Sequence, residues 1–290
     1  MDDHGAQAPN PELVSGPKLL VLDVDGTLLG RDGAVHPDDA AAIARLAAAG
    51  VPVSIATGRL YSGTRVIARS VGIAGPIACV DGAHIVDVTT DEERFANPLK
   101  PAAATAVRDA IGARSLASFL FAQDGIVHDA RGEPFAAYVR TWSDRIAMVE
   151  RVVDHPHWEH ELGVMAVVAI GLDADVAAAE ADIAARAPEA LVVTFPVARL
   201  GGTRAMVVRA RGATKGTAIA WLAAHHGVTP ADVVVVGDWI NDVSMFDAAG
   251  CSFVMGQAPP EVKARATHEL TNDAHTGGGV AEAIDRAFGL

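Results

Sequence analysis

Leu19-Leu20-Val21-Leu22-Asp23-Val24-Asp25-Gly26-Thr27-Leu28 decides how the rest of the chain is read. Its opening run of large apolar residues has the length and composition of a buried parallel strand, and it stops at two carboxylates and a glycine. Side chains two apart on an extended segment share a side, so Asp23 and Asp25 can both face the space beyond the strand's carboxyl end. Gly26 lets the chain turn away there. Two like charges about 4 Å apart cost on the order of 4 kcal/mol at an effective dielectric near 20, so such a pair calls for a cation or a shared proton. An exposed acidic turn is the plainer reading of a lone Asp-x-Asp, because strand-to-loop junctions favour Asp and Gly.

The chain around this stretch has 290 residues, half of them hydrophobic, enough for two modest domains. Cys79 and Cys251 stand far apart, which leaves no disulfide framework and no four-thiolate zinc site, and fits a reducing cytoplasm. Residues 1–16 are polar and carry two prolines, so they are expected to form a loose tail rather than a leader or a membrane anchor. A formal net charge of -13 argues against nucleic acid as a partner. A site for an anionic group must therefore supply positive charge locally, through a metal ion, a lysine or backbone N–H groups.

Pro37 to Ala49 reads as a helix, with Pro in the first turn, Asp38 and Asp39 at the positive end of the dipole and Gly50 beyond the last turn. Val51 to Ala56 is a second buried strand that ends in Thr57-Gly58-Arg59. Strand, helix and strand make a parallel crossover, which brings both strand ends to one edge and Thr57 beside Asp23. Thr57 also suits the cap of a helix over Leu60 to Val71. Ile77 to Val80 is a third strand, followed by the turn Asp81-Gly82-Ala83 and a hairpin partner at His84 to Val88.

Beyond Thr89 the pattern changes. A helix over 101–113, a hairpin of Leu116–Ala122 with Ile126–His128 about Asp124-Gly125, a helix over Glu133–Ser143, a strand at Val164–Ile170, a helix at Asp173–Ala187 and a strand at Leu191–Phe195 suggest a separate α+β module. The expected division is a core of residues 17–88 and 199–290 with residues 89–198 inserted. Met206-Val207-Val208 is read as the return to the core. Lys215-Gly216 then opens a helix to His226, and Asp232 to Gly237 is a continuously apolar strand that stops at Asp238, with Asn241 and Asp242 on the following turn. Ser252–Met255 and Val280–Phe288 complete a parallel sheet with helices on both faces, whose ligands belong beyond the strand carboxyl ends.

The succession Asp23-x-Asp25-Gly26-Thr27, Thr57-Gly58-Arg59, Lys215-Gly216 and Gly237-Asp238-x-x-Asn241-Asp242 resembles the four motifs of the haloacid dehalogenase superfamily of phosphatases. The place of the insert, between the second and third motifs, is similar to the Cof-type branch, subfamily IIB, with its α/β cap. The resemblance runs from about Lys18 to Leu290. Where that branch usually has Asn-Gly-Ala, this chain has Asp81-Gly82-Ala83, which adds a negative charge at the edge of the site.

This resemblance implies a Rossmann-like core and a Mg2+-dependent phosphomonoester hydrolase acting on a small phosphorylated metabolite such as a sugar phosphate, nucleotide or phosphorylated cofactor. Asp23 would be the nucleophile and Asp25 the general acid and base. Mg2+, a hard ion that takes oxygen ligands, would lie on Asp23, the backbone carbonyl of Asp25 and Asp238, with Asp242 in support. Thr57, Gly58, Lys215 and Asn241 would hold the phosphate. A cation at a helix start is poorly placed for the dipole, which gives Lys215 a functional reason to be there. Arg59 is left outside the catalytic set as a helix anchor. His155, His157 and His160 are irregularly spaced about a proline and read as a solvated loop. Phe135, Tyr138 and Trp142 are expected to pack the inserted module, one of them able to face substrate. A phosphomutase, or a phosphoaspartate signalling module that does not turn over, is the alternative reading, and either a monomer or a homodimer suits the composition.

Overall fold

The computed structural model describes residues 19–122, 124–160, 162–197 and 202–290. The N-terminal tail expected from sequence lies outside them, as does the expected join at residues 198/199. Four elements, β1 (Leu19–Leu22), α1 (Pro37–Ala48), β2 (Val53–Ile55) and α2 (Tyr61–Ser70), build the first crossover. Pro37 opens α1, and the His36 ring accepts the N–H of Asp38 at 3.3 Å as a cap. Three short strands follow, β3 (Pro76–Cys79), β4 (His84–Asp87) and β5 (Glu92–Ala96), paired antiparallel.

A second unit then runs through α3 (Pro101–Ala113), β6 (Ala117–Ala122), β7 (Gly125–His128), α4 (Glu133–Val139), β8 (Ile146–Met148), β9 (Ala166–Leu172), α5 (Asp173–Arg186), β10 (Ala190–Pro196) and β11 (Thr203–Ala210). Its strands form one sheet in the order β10-β11-β9-β6-β7-β8. The chain returns through α6 (Lys215–His225), β12 (Val233–Gly237), α7 (Val243–Ala248), β13 (Cys251–Val254), α8 (Pro260–Lys263), β14 (His268–Glu269) and α9 (Gly279–Phe288).

The central sheet has the order β14-β13-β12-β1-β2, with every pairing parallel. Alternation along β1 explains why helices cover both faces. Leu20 and Leu22 pack with Ile43 and Leu46 of α1 and Ile284 of α9, whereas Leu19 and Val21 pack with Ile219 and Leu222 of α6 and Met245 of α7. In the second unit, Leu120, Val167, Met206 and Val208 pack against Val107 and Ile111 of α3 and Val176 and Ile183 of α5. Phe119, Phe121 and Val168, on the other face of that sheet, join the cluster that contains Leu20 and Leu22. No described helix is long and apolar enough to cross a membrane.

Several elements differ from expectation, among them the short β8, α8 and β14. Met206-Val207-Val208 lies in β11, paired with β9 and β10 in the six-stranded sheet, and not in the central one. The helix expected over Glu133–Ser143 stops at Val139, and β8 pairs parallel with β7. β5 was not anticipated, because Glu92-Glu93-Arg94 is charged and exposed and shows no apolar alternation.

Candidate active site

The register of the central sheet sets the site. Leu22, the last residue of β1, pairs with Ile55 on one side and Val236 on the other. Asp23, Thr57 and Asp238 therefore emerge within one or two residues of the same level. β1 is also where the strand order reverses, since the chain steps from it first to β2 and later to β12, and such a switch opens a crevice at the carboxyl ends. Gly26 adopts φ +80°, and a Cβ there would stand 2.3 Å from an Asp238 carboxylate oxygen, so only glycine lets the turn after β1 pass the end of β12.

Lys215 ties the floor of the crevice together. Its Nζ donates to Asp23 Oδ1 at 2.6 Å and to Asp242 Oδ1 at 2.5 Å, and the side chain is 1% exposed. The backbone reason is local: Thr214 caps α6 through a reciprocal bond with Thr217, which sets Lys215 as the first residue of the helix, beneath the strand ends. Asp242 is consumed within the protein, because its Oδ2 accepts the N–H groups of Asp238 at 2.8 Å and Trp239 at 2.9 Å. Asp238 is braced by Gln257, whose Nε2 donates to Asp238 Oδ2 at 3.3 Å and to the Gly26 carbonyl at 2.6 Å.

Electrostatics follows from two buried carboxylates, Asp23 and Asp242, and a part-buried one, Asp238, facing one ammonium. Burial, reinforced by Asp242 and Asp238 and opposed by Lys215, holds the Asp23 carboxyl well above the usual range. Burial and then Asp242 push Asp238 up to about 7. Burial alone would lower the Lys215 ammonium, but Asp23, Asp242 and Asp81 outweigh it and raise it above its ordinary value. The cluster thus carries more negative charge than its lysine offsets. Oxygen atoms of Asp23, Asp238 and Asp242 all lie within 4.8 Å of one another, the one such group of His, Cys, Asp or Glu among the described residues. Hard oxygen donors and unbalanced charge suit a small divalent cation, with Asp23 and Asp238 the better placed to reach it because Asp242 is already bonded. The three histidines of the 155–160 segment make ring contacts with one another and join no such group.

Asp25 stands apart from this floor, half exposed, and Arg59 grips it through a two-pronged contact, Nε to Oδ2 at 2.7 Å and a terminal nitrogen to Oδ1 at 2.5 Å. Arg59, read from sequence as a helix anchor, does donate to the Gly63 carbonyl of α2 at 3.4 Å, and its contact with Asp25 comes in addition. Thr57 is buried, and its Oγ1 accepts the N–H of Arg59 at 3.2 Å. It does not cap a helix, since α2 starts at Tyr61. The turn after β3 braces this loop instead: Asp81 N–H donates to the Thr57 carbonyl at 2.8 Å and Val80 N–H to that of Arg59 at 2.9 Å. Gly58 faces Asp81 and Asn241 across this loop, 3.6 Å and 3.9 Å from where its Cβ would stand.

The unusual Asp81 is matched by a cation. Arg209, buried in β11, meets Asp81 Oδ2 at 3.1 Å and also donates Nε to the Ala213 carbonyl at 2.7 Å. Asn241 Nδ2 donates to the other Asp81 oxygen at 2.9 Å. Although burial would raise the Asp81 carboxyl, Arg209, Lys215 and Asn241 hold it below the usual carboxylate range. The extra negative charge is therefore neutralised, and the pair links the six-stranded sheet to the loop beneath Thr57. Asp81→Asn is expected to cost roughly 1–3 kcal/mol in urea unfolding by leaving Arg209 without its counter-ion. Adding Arg209→Met should restore much of that loss, and a double variant no more stable than Asp81→Asn would contradict the pairing.

Residues 20–284 match the family described as haloacid dehalogenase-like hydrolase. Among characterised relatives, an HMP-PP phosphatase of Cronobacter sakazakii is 27% identical, covering 87% of this chain and 88% of its own. The pyridoxal phosphate phosphatase YbhA of Escherichia coli is 24% identical over 86% of this chain and 91% of its own. A haloacid dehalogenase-like hydrolase from Bacteroides thetaiotaomicron shares the fold with TM-score 0.79 at 23% identity, over 94% of this chain and all of its own. A subclass IIB sugar phosphatase shares it with TM-score 0.68 at 20% identity, over 87% of this chain and 93% of its own.

Proposed function

Because the chain belongs to the haloacid dehalogenase-like hydrolases, we propose that it is a Mg2+-dependent phosphomonoester hydrolase for small phosphorylated metabolites, working through an aspartyl-phosphate on Asp23. The observation that carries this reading is the Asp23 carboxylate at the end of β1, held by Lys215 beside Asp238. Relatives named for HMP-PP and pyridoxal phosphate support a small phosphorylated metabolite.

Asp23, the backbone carbonyl of Asp25 and Asp238 are the proposed metal ligands. The ion would cancel charge between an anionic nucleophile and an anionic phosphoryl group. The Asp23 carboxylate attacks phosphorus while the bond from phosphorus to the alcohol oxygen breaks. Asp25 gives its proton to that leaving oxygen, then takes one from the water that attacks the acyl phosphate, which releases inorganic phosphate and regenerates Asp23. A proton on Asp25 replaces one of its two Arg59 bonds, so the carboxyl must turn one oxygen towards the cleft. Lys215 faces the phosphoryl oxygens from below, while Thr57, the Gly58 N–H and Asn241 supply hydrogen bonds. Asp242 holds Lys215 and the backbone before α7. The six-stranded unit would act as the cap, a role supported by its tether to the start of α2, where Leu60 N–H donates to the Trp142 carbonyl at 3.1 Å and Ser62 N–H to Asp124 at 2.7 Å.

A panel of phosphorylated metabolites tests the reading, with phosphate release followed with Mg2+ and with chelator. Many turnovers per chain, lost on chelation, are expected; one stoichiometric phosphorylation without release would point to a signalling module. Asp25→Asn is expected to slow turnover of an alkyl phosphate by about 10²- to 10⁴-fold, the range for a lost general acid and base. A rate near that of the parent enzyme would remove the proposed role.

A further inference from the structure

The lip of the six-stranded unit that meets the start of α2 is aromatic. Tyr138, in the last turn of α4, is 57% exposed, and its ring meets that of Trp142 edge to face, with centroids 5.2 Å apart and planes at 66°. Trp142 lies in turn 5.9 Å from Phe121, a buried residue of β6. The chain has only two tyrosines and four tryptophans, so placing one of each here is a concentrated use of scarce residues. The pair is fixed relative to the core. Besides the bond from Leu60, the Trp142 carbonyl would stand 2.4 Å from a Cβ on Gly63, so α2 approaches it as closely as backbone allows. Gly63 in turn accepts at its carbonyl from the guanidinium of Arg59 at 3.4 Å, the group that grips Asp25, so the Trp142 backbone stands one residue contact from the arginine that holds the proposed proton donor. Trp239 and Ile240, which directly follow Asp238, are 51% and 49% exposed.

An exposed ring held at a fixed angle near an acidic floor offers a flat face to a flat apolar group. Polar partners that would suit a sugar are spent: the Ser62 and Ser143 hydroxyls bond each other at 2.8 Å, Asp124 is bonded to Ser62, and Arg59 holds Asp25. We propose that Tyr138 is a specificity-determining residue whose ring packs on the leaving group, and that the preferred substrates are phosphomonoesters of flat aromatic alcohols. This rests on the hydrolase reading, with the phosphoryl group held at Asp23 and the alcohol extending to the lip. Trp142 sets the angle of the Tyr138 ring, and the hydroxyl of Tyr138 takes no part.

Binding of two stable analogues, benzylphosphonate and its saturated counterpart cyclohexylmethylphosphonate, is measured by calorimetry with Mg2+ on the full chain and on Tyr138→Leu and Tyr138→Phe. Tyr138→Leu is expected to reduce the preference for the aromatic analogue by about two- to tenfold, the range of one aromatic pair, and Tyr138→Phe to keep it. Calorimetric melting establishes that both variants fold. An unchanged preference in Tyr138→Leu, an equal loss in Tyr138→Phe, or an equal loss for glucose 6-phosphate would overturn the assignment. Turnover of benzyl phosphate is recorded separately, so that an intact binding preference without phosphate release counts against the hydrolase reading and not against the role of Tyr138.

Discussion

Asp23→Asn is expected to lose all measurable turnover, a fall on the order of 10⁴-fold or more, while the protein stays folded. The substitution keeps the shape of the side chain and an oxygen that can accept from Lys215, but removes the charge that attacks phosphorus. Stability should hold, or rise slightly, because Asp23 crowds a single lysine together with buried Asp242 and part-buried Asp238. Unfolding in urea and a turnover assay on the same sample separate the two effects. A variant that is still phosphorylated, on Asp25 or Asp238, would show that the nucleophile lies elsewhere.

Lys215→Met is expected to damage both fold and chemistry. Methionine matches the length of the lysine stem, so packing is nearly kept, but Asp23 and Asp242 lose their shared cation in a place where water cannot replace it. Breaking a buried pair from one side typically costs about 3–5 kcal/mol, which should appear as a large drop in the urea midpoint. Joining Asp242→Asn to it removes one of the stranded charges, and the double variant should recover part of the loss, a coupling that distant sites do not show. Mg2+ should stabilise Lys215→Met more than the parent protein, because the cation then meets a less compensated cluster. A Lys215→Met protein as stable as the parent, with or without metal, would contradict the electrostatic account of the floor.

Much of the floor was legible in the sequence, because strands that are apolar throughout and stop at Asp or Gly mark the carboxyl edge of a parallel sheet. Asp23, Thr57 and Asp238 were read on that basis, with the crossover rule bringing their strand ends to one edge, whereas Lys215, at a helix start, was read from the resemblance to the family motifs. Met206-Val207-Val208 failed for a related reason: an apolar run says that a strand is buried, not in which sheet. The pairing of Arg59 with Asp25 was not legible because the two are far apart in sequence, and an arginine near a helix start has a sufficient local explanation, which its bond to the Gly63 carbonyl satisfies. Arg209 left a usable signal. A charge set within Ala205-Met206-Val207-Val208-Arg209-Ala210 must find a counter-ion once the strand is buried, and Asp81, the one departure from the family pattern in its turn, was a carboxylate without an assigned partner. Gln257 left none, since an amide in a loop after a strand carries no spacing that ties it to Asp238.

Trapping the covalent intermediate tests the account most directly. Enzyme mixed with Mg2+ and excess phosphomonoester is quenched within one turnover, treated with borohydride to reduce any acyl phosphate, digested and mapped by mass spectrometry. The reduced side chain is predicted at Asp23, and it should vanish in Asp23→Asn. Reduction at another carboxylate, or phosphate released with every aspartate intact, would contradict the proposal that Asp23 receives the phosphoryl group.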